Sequence, residues 1–402
     1  MVNNRRLVYT FGLLTGLFAA GYGVMFTLLD DFRDRYGISE SSLGMVVAVG
    51  FFAAFAAQVF FAPMADRGHA RRLVNVGMVF NLVGLLLMAF GTTFGVLLSG
   101  RLVMGLGTGI AVPAIRRIII LADPDNLGSN IGRLLAADVG GFAMGPAISA
   151  VLVSPFGIAA PFLVLCVATA ACFPVIARAH VAETAAADQP KTRFAFDLLR
   201  SRTYVGAILF GCAVFLMVGT FDALWVLVLD DLRTADWIAN LGITLFALPL
   251  IFLGSIGGRL AQRVGPFRVG TIGLLLGAAF MFSYGRLPTG AAMFTVAMFH
   301  ALNDGVTVSS SGVAVGMASP KERMAGAQGL LGGAQTLVGG IAALVASNLY
   351  QHHGRASAYA ACAVTMAAFV GIGSLCAGRA WGLRPSGEAT EEPLLAELTH
   401  QS

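Results

Sequence analysis

Charge is what this 402-residue chain has least of: 12% of its residues are Asp, Glu, Lys or Arg, against 57% hydrophobic. With a mean hydropathy of +0.80, that scarcity excludes an ordinary soluble domain. The net charge of +5 and pI near 9.1 point to basic loops at a membrane surface and not to a nucleic-acid partner. Five cysteines, Cys166, Cys172, Cys212, Cys362 and Cys376, all sit in apolar runs without metal-ligand spacing, so neither a disulfide framework nor a zinc site is expected. Metal clusters, nucleophile–base arrangements and nucleotide loops are likewise missing. An enzyme and a bound cofactor are therefore not expected.

What fills the chain instead is apolar sequence. Runs long enough to cross a hydrocarbon core of ~30 Å read as 7–29, 41–64, 73–92, 95–116, 132–153 and 157–177. A second set reads as 203–229, 237–258, 267–286, 289–317, 324–350 and 356–378. The first run, from Leu7, reads as a membrane helix and not a removed signal peptide. The expectation is an all-α protein of twelve transmembrane helices, forming two six-helix bundles.

Basic residues alternate between the connections. Arg5, Arg6, Arg67, Arg71, Arg72, Arg116, Arg117 and Arg133 fall on one side, followed by those between 178 and 202 and by Arg259, Arg263 and Arg268. Few fall on the other: Arg33, Arg35, Arg233, Arg286 and Arg355. The positive-inside rule then places both termini in the cytoplasm. A plasma (inner) membrane, multi-pass location is expected. The domains read as an N-terminal bundle over 1–178, a cytoplasmic linker over 179–202, a C-terminal bundle over 203–380 and a disordered acidic tail over 381–402. Phe194–Arg200, at the linker's end, reads as a short amphipathic helix on the inner membrane surface.

An internal repeat supports the two bundles. Leu29-Asp30-Asp31-Phe32-Arg33 closes the first run and Leu229-Asp230-Asp231-Leu232-Arg233 the seventh. Leu43-Gly44 aligns with Leu241-Gly242, and Asp66 with Gln262. The offset drifts from 200 to 196, as small loop deletions would produce. The aligned loops are basic: Ala62-Pro63-Met64-Ala65-Asp66-Arg67-Gly68-His69-Ala70-Arg71-Arg72 and Gly258-Arg259-Leu260-Ala261-Gln262-Arg263-Val264-Gly265.

With these loops the chain resembles the major facilitator superfamily over essentially its whole length, whose signature there is Gly-x-Leu-Ala-Asp-Arg-x-Gly-Arg-Lys. The resemblance implies a gating role for Asp66, Arg67, Arg71, Arg72 and Arg263, with Asp66 in a charge contact at a neighbouring helix end. Gly141-Phe142-Ala143-Met144-Gly145-Pro146 resembles the antiporter signature of that superfamily's drug exporters, with Ser149 and Ala150 in place of its last two glycines. Gly141 and Gly145 would permit close helix contact, and Pro146 a bend. Arg101-Leu102-Val103-Met104-Gly105-Leu106-Gly107 is similar to the superfamily's Arg-x-x-Gln-Gly-x-Gly.

Ionisable residues inside the runs are few: Arg101, Asp138, Asp222, His300 and Asp304. A charge at mid-bilayer costs about 2.5–3.5 kcal/mol on insertion scales, so each is a functional candidate. Burial raises a carboxyl pKa and a nearby cation lowers it. An intramembrane acid can therefore load a proton on one side and release it on the other. Asp304 or Asp222 is the expected carrier and Arg101 the group driving release, with Asp138 meeting water or Arg133. His300 lies on the Asp304 face of its helix, where proton coupling and plain packing are equally open. Tyr22, Phe26, Phe142, Phe221 and Trp225 are candidate walls of a pocket between the bundles, suited to apolar or cationic ligands.

The function read from all this is proton-coupled export of lipophilic or cationic small molecules by alternating access, as in multidrug efflux. The partners are substrate, protons and the bilayer, and the protein works as a monomer. A sugar, metabolite or lipid transporter, and a membrane sensor that moves nothing, are the other readings.

Overall fold

The computed structural model describes residues 4–179, 181 and 183–381. The expected acidic tail past Trp381 lies outside the described residues. Every described regular element is helical. The first half supplies α1 (Asn4–Thr27), α2 (Leu29–Tyr36), α3 (Glu40–Phe60), α4 (Ala70–Phe90), α5 (Phe94–Ala122), α6 (Leu127–Phe156) and α7 (Ala159–Ala177). The second supplies α8 (Arg202–Asp231), α9 (Asp236–Val264), α10 (Pro266–Tyr284), α11 (Gly290–Thr307), α12 (Ser309–Met317) and α13 (Met324–Ala377).

Ten helical stretches of the described chain are long and apolar enough to cross a membrane. The eleventh and twelfth runs are the two parts of α13, which meet at Gly354, whose φ of 76° and ψ of 173° form a backbone geometry that favours glycine. Two features differ from the sequence reading. The expected tenth run, 289–317, is divided between α11 and α12. Finally, Asp30 and Asp31 open the separate short helix α2 instead of closing the first run.

The two basic loops also fold differently. The first forms a 3₁₀ turn over Ala62–Arg67, ended by Gly68 at φ 78°. In the second, helix α9 continues to Val264 and only Gly265, at φ 113°, separates it from α10. The predicted amphipathic helix at 194–200 is a 3₁₀ segment over Phe196–Arg200, with Leu198 buried.

The chain divides into two compact units. One contains residues 1–124, 133–194 and 322–329, and the other 125–132, 195–321 and 330–402. The units therefore exchange helix ends. The start of α13 belongs to the first unit and the start of α6 to the second. Apolar packing fills each: Phe11, Leu14, Phe18, Met78 and Ile115 lie in the first unit's core, and Met217, Leu224, Met281 and Met366 in the second's.

Glycine sets the closest helix approach. A Cβ on Gly141 of α6 would lie 2.0 Å from the Gly16 carbonyl oxygen of α1, and one on Gly145 would lie 2.2 Å from the Gly23 carbonyl carbon. The second unit repeats this contact between Gly219 of α8 and the carbonyl oxygen of Gly339 in α13, at 2.2 Å. Small residues let membrane helices meet backbone to backbone, as expected for Gly141 and Gly145; α6 runs on helically through Pro146. Gly141→Leu should therefore lower the thermal midpoint of the purified protein by several degrees, since overpacking costs about 1–3 kcal/mol. Gly371→Ala, whose added methyl meets nothing within 4 Å, should leave the midpoint unchanged in the same thermal-shift assay.

Candidate functional site

The two carboxylates best enclosed by protein have different surroundings. Asp66 sits in the 3₁₀ turn with no exposed surface. Its Oδ1 accepts the backbone N–H of Ala325 at 2.8 Å and its Oδ2 that of Gly326 at 2.7 Å. These are orphan donors of the first turn of α13, where the helix dipole also favours negative charge. Arg117 of α5, itself 2% exposed, closes the site with Nε 3.2 Å from Oδ1.

The aligned residue does the same work with a neutral amide. Gln262 accepts the Gly128 N–H at the start of α6, 2.7 Å, and donates to the Asp125 carbonyl, 3.1 Å. Of the other loop cations, Arg67 donates to the Pro190 carbonyl at 3.3 Å. Arg71, Arg72 and Arg263 are exposed.

The linker provides residues that sequence reasoning did not single out. Glu183 accepts the backbone N–H groups of Ala70 and Arg71 at 3.0 and 2.9 Å, capping α4. Thr184 Oγ1 accepts from Arg117 at 2.6 Å, and Arg323 donates to the carbonyls of Thr192 and Phe194. An acid isolated in a polar stretch just after a helix was the available signal for Glu183; Thr184 gave none.

The second enclosed carboxylate is Asp304 on α11, 1% exposed. His300, one turn earlier and fully buried, places Nε2 3.5 Å from Asp304 Oδ2. On its other side, His300 Nδ1 is 2.9 Å from the Tyr284 hydroxyl of α10. Asn303 donates to Asp304 Oδ1 at 3.3 Å and to the Gly273 carbonyl at 3.0 Å, fixing α11 to α10. Phe280 stacks on the His300 ring at 5.0 Å and Phe246 meets it edge-on at 5.7 Å. The predicted Phe221 and Trp225 stack on each other at 4.7 Å, with Phe221 6.1 Å from Tyr284.

This geometry supports two proton positions. When Tyr284 donates to Nδ1, His300 presents Nε2–H to an ionised Asp304. When Nδ1 carries the hydrogen, the bare Nε2 faces a protonated Asp304. The imidazole can switch tautomer as the acid loads and unloads.

Arg101 of α5 has a different environment. Its guanidinium carbon lies 3.9 Å over the Tyr22 ring and 5.4 Å from the Phe51 ring centre. Its side chain is fully buried, and neither Nε nor Nη1 nor Nη2 makes a hydrogen bond of ordinary geometry. The Tyr22 hydroxyl oxygen faces the guanidinium as both a charge partner and a hydrogen-bonding group, while its hydrogen goes to Thr108, 3.2 Å away. Desolvating an ion costs several kcal/mol, of which a cation–π contact returns about 2. Phe26 extends the aromatic face, 6.4 Å from Phe51 and 5.9 Å from Phe142. Gly50 makes room, since a Cβ there would lie 2.3 Å from Arg101 Nε.

The other candidates stand apart. Asp222 is exposed on α8 and, among the described residues, has no hydrogen bond or ion pair. Asp138 is also exposed, and the charge acting on it is that of Arg116, on α5, in place of the expected Arg133.

Removing the Asp66 charge should loosen the start of α13. In Asp66→Ala, a cysteine introduced at Gly326 is expected to react with a membrane-impermeant maleimide at least several-fold faster than in the parent. The thermal midpoint should fall as well, because stranding Arg117 costs about 3–5 kcal/mol. An Asp66→Asn/Arg117→Met pair should recover part of that loss.

Comparison with known proteins agrees with this architecture. The quinolone resistance protein NorA of Staphylococcus aureus (strain MRSA252) is 26% identical over 129 residues, covering 32% of this chain and 33% of that protein. The MFS-type transporter ppzB of Metarhizium majus is 32% identical over 160 residues, covering 38% of this chain and 34% of that one. The matched stretch is thus about a third of either relative's length. The human organic anion transporter MFSD10 (TETRAN) superposes with a TM-score of 0.76 at 15% identity, over 93% of this chain and 100% of that one. The E. coli fucose:proton symporter FucP gives 0.72 at 14% identity, over 92% and 98%. Both share the fold. A family model described as Major Facilitator Superfamily matches residues 11–233, more than half of the sequence, and the chain belongs to that superfamily of multi-pass membrane transporters.

Proposed function

We propose that this protein is a proton-coupled secondary transporter that exports lipophilic small molecules by alternating access. It would use twelve spans in two six-helix halves, 1–178 and 203–380, joined by the linker over 179–202. It would reside in the plasma (inner) membrane with both termini cytoplasmic. The observation that carries the reading is the buried Tyr284–His300–Asp304 chain. It combines a carboxyl group enclosed by protein with a neighbour able to change tautomer as the proton comes and goes. Asp304 is the carrier in this reading and His300 its positioning partner. Asp222, exposed and without a partner, is the weaker candidate of the two. The aromatic face of Tyr22, Phe26, Phe51 and Phe142 suits an apolar substrate, and the partial similarity to a quinolone resistance protein favours a drug-like one.

Alternating access requires the contacts at Asp66 and Gln262 to break and re-form. Each holds a helix start through one side chain, and a single side chain can release it.

Inside-out vesicles with an acidic interior and a ΔpH-reporting dye test the coupling. Adding a lipophilic drug should release protons from vesicles holding the parent protein. Asp304→Asn should abolish the signal, and Asp222→Asn should keep at least half of it. Equal proton release by Asp304→Asn and the parent would rule Asp304 out as carrier. Sugars that elicited the signal where drugs did not would move the assignment to a metabolite transporter.

A further inference from the structure

The proposed function leaves open which charge the transported molecule bears, and Arg101 bears directly on it. Among the buried cations of the first unit, Arg117 has Asp66 and Thr184, and Arg323 has the Thr192 and Phe194 carbonyls. Arg101 has the Tyr22 and Phe51 rings beside it and, among the described residues, only the Tyr22 hydroxyl as a weak polar partner, with no nitrogen making a hydrogen bond of ordinary geometry. Each of those nitrogens is also closed to solvent, so water does not reach the guanidinium in this conformation.

A dry guanidinium fork has the shape and charge to bind a carboxylate through two parallel hydrogen bonds. Its cover can move. Tyr22 is half-buried, and its hydroxyl is held by one bond of 3.2 Å to Thr108. Phe26, Phe51 and Phe142 continue the same face, and Phe51 and Phe142 are 39% and 40% exposed. Gly50, without a side chain, leaves the guanidinium its place against α3.

The geometry points to Arg101 as the anchor for an anionic group on the transported molecule, which makes the substrates of this carrier amphiphilic aromatic carboxylates. The carboxylate meets the N–H edge of the guanidinium once the Tyr22 hydroxyl gives way, and the apolar body lies along Phe26, Phe51 and Phe142. An ammonium group at the same place meets an uncompensated positive charge and is rejected. This inference rests on the transporter reading for its physiological meaning, but binding itself is measured without a proton gradient.

Equilibrium binding to the purified full chain in nanodiscs tests it with three probes that share one ring system: 2-naphthoate, 2-naphthamide and 2-naphthylmethylammonium. The parent protein should bind the carboxylate at least tenfold more tightly than the amide, and the ammonium most weakly. Arg101→Gln should bring the carboxylate down to the amide's level and leave the amide within threefold of its parent value. Arg101→Lys should keep part of the preference. A carboxylate preference that survives in Arg101→Gln overturns the proposal. So does a parent protein that prefers the ammonium, or one that fails to bind naphthoate at millimolar concentration. If Arg101→Gln does not fold, the charge series on the parent decides alone. Naphthoate bound through Arg101 without any accompanying proton movement in vesicles would uphold the anchor and refute the proton-coupled reading.

Discussion

An ionisable side chain enclosed by protein must find compensation there, and that constraint orders the structure described here. Asp66 is compensated by two helix N–H groups and Arg117. Asp304 accepts a hydrogen bond from Asn303, and its other oxygen lies 3.5 Å from His300 Nε2. Arg101 has aromatic rings and the Tyr22 hydroxyl. The first arrangement is a saturated contact that holds a helix start. The second sets an imidazole beside an enclosed carboxyl group. The third is incomplete, and incompleteness at a buried cation marks a place where a ligand can act.

The two halves solve one packing problem with different chemistry. A residue at the end of the basic loop holds the start of a long helix, and close glycine contacts hold that helix to the first of its half. In the first copy the residue is a carboxylate, which needs Arg117 beside it once buried. In the second it is Gln262, whose amide both accepts from Gly128 and donates to Asp125 and so needs no counter-charge. Breaking the first contact exposes a charge pair and breaking the second exposes only dipoles. The two contacts should therefore differ in how strongly salt and pH affect them.

Much of this was legible in the sequence. Apolar runs gave the all-helical membrane character, because a hydrocarbon core requires length and little charge. The Asp66–Gln262 alignment pointed to two residues that each hold a helix start. The spacing of Gly141 and Gly145 gave the close helix approach. His300 and Asp304 were visible as a pair because four residues return a helix to the same face. Tyr284 and Asn303 were not, since their roles depend on how α10 and α11 pack, and no local pattern encodes that. Arg101 was visible as a buried charge, but its lack of a hydrogen bond of ordinary geometry was not. That depends on which rings and which glycine surround it. The same limit explains the tenth run, where a continuous apolar stretch hid the division between α11 and α12. It also explains the aromatic list, where Phe221 and Trp225 were grouped with Tyr22 although they pack in a different unit.

The central claim is that Asp304 gains and loses a proton within the membrane. Infrared difference spectroscopy on the reconstituted protein, taken across a pH titration, reads that directly. The account predicts a protonated-carboxyl carbonyl band that titrates in the parent and is missing from Asp304→Asn, with the His300 ring modes shifting in step. A band of the same size and titration in Asp304→Asn would contradict it.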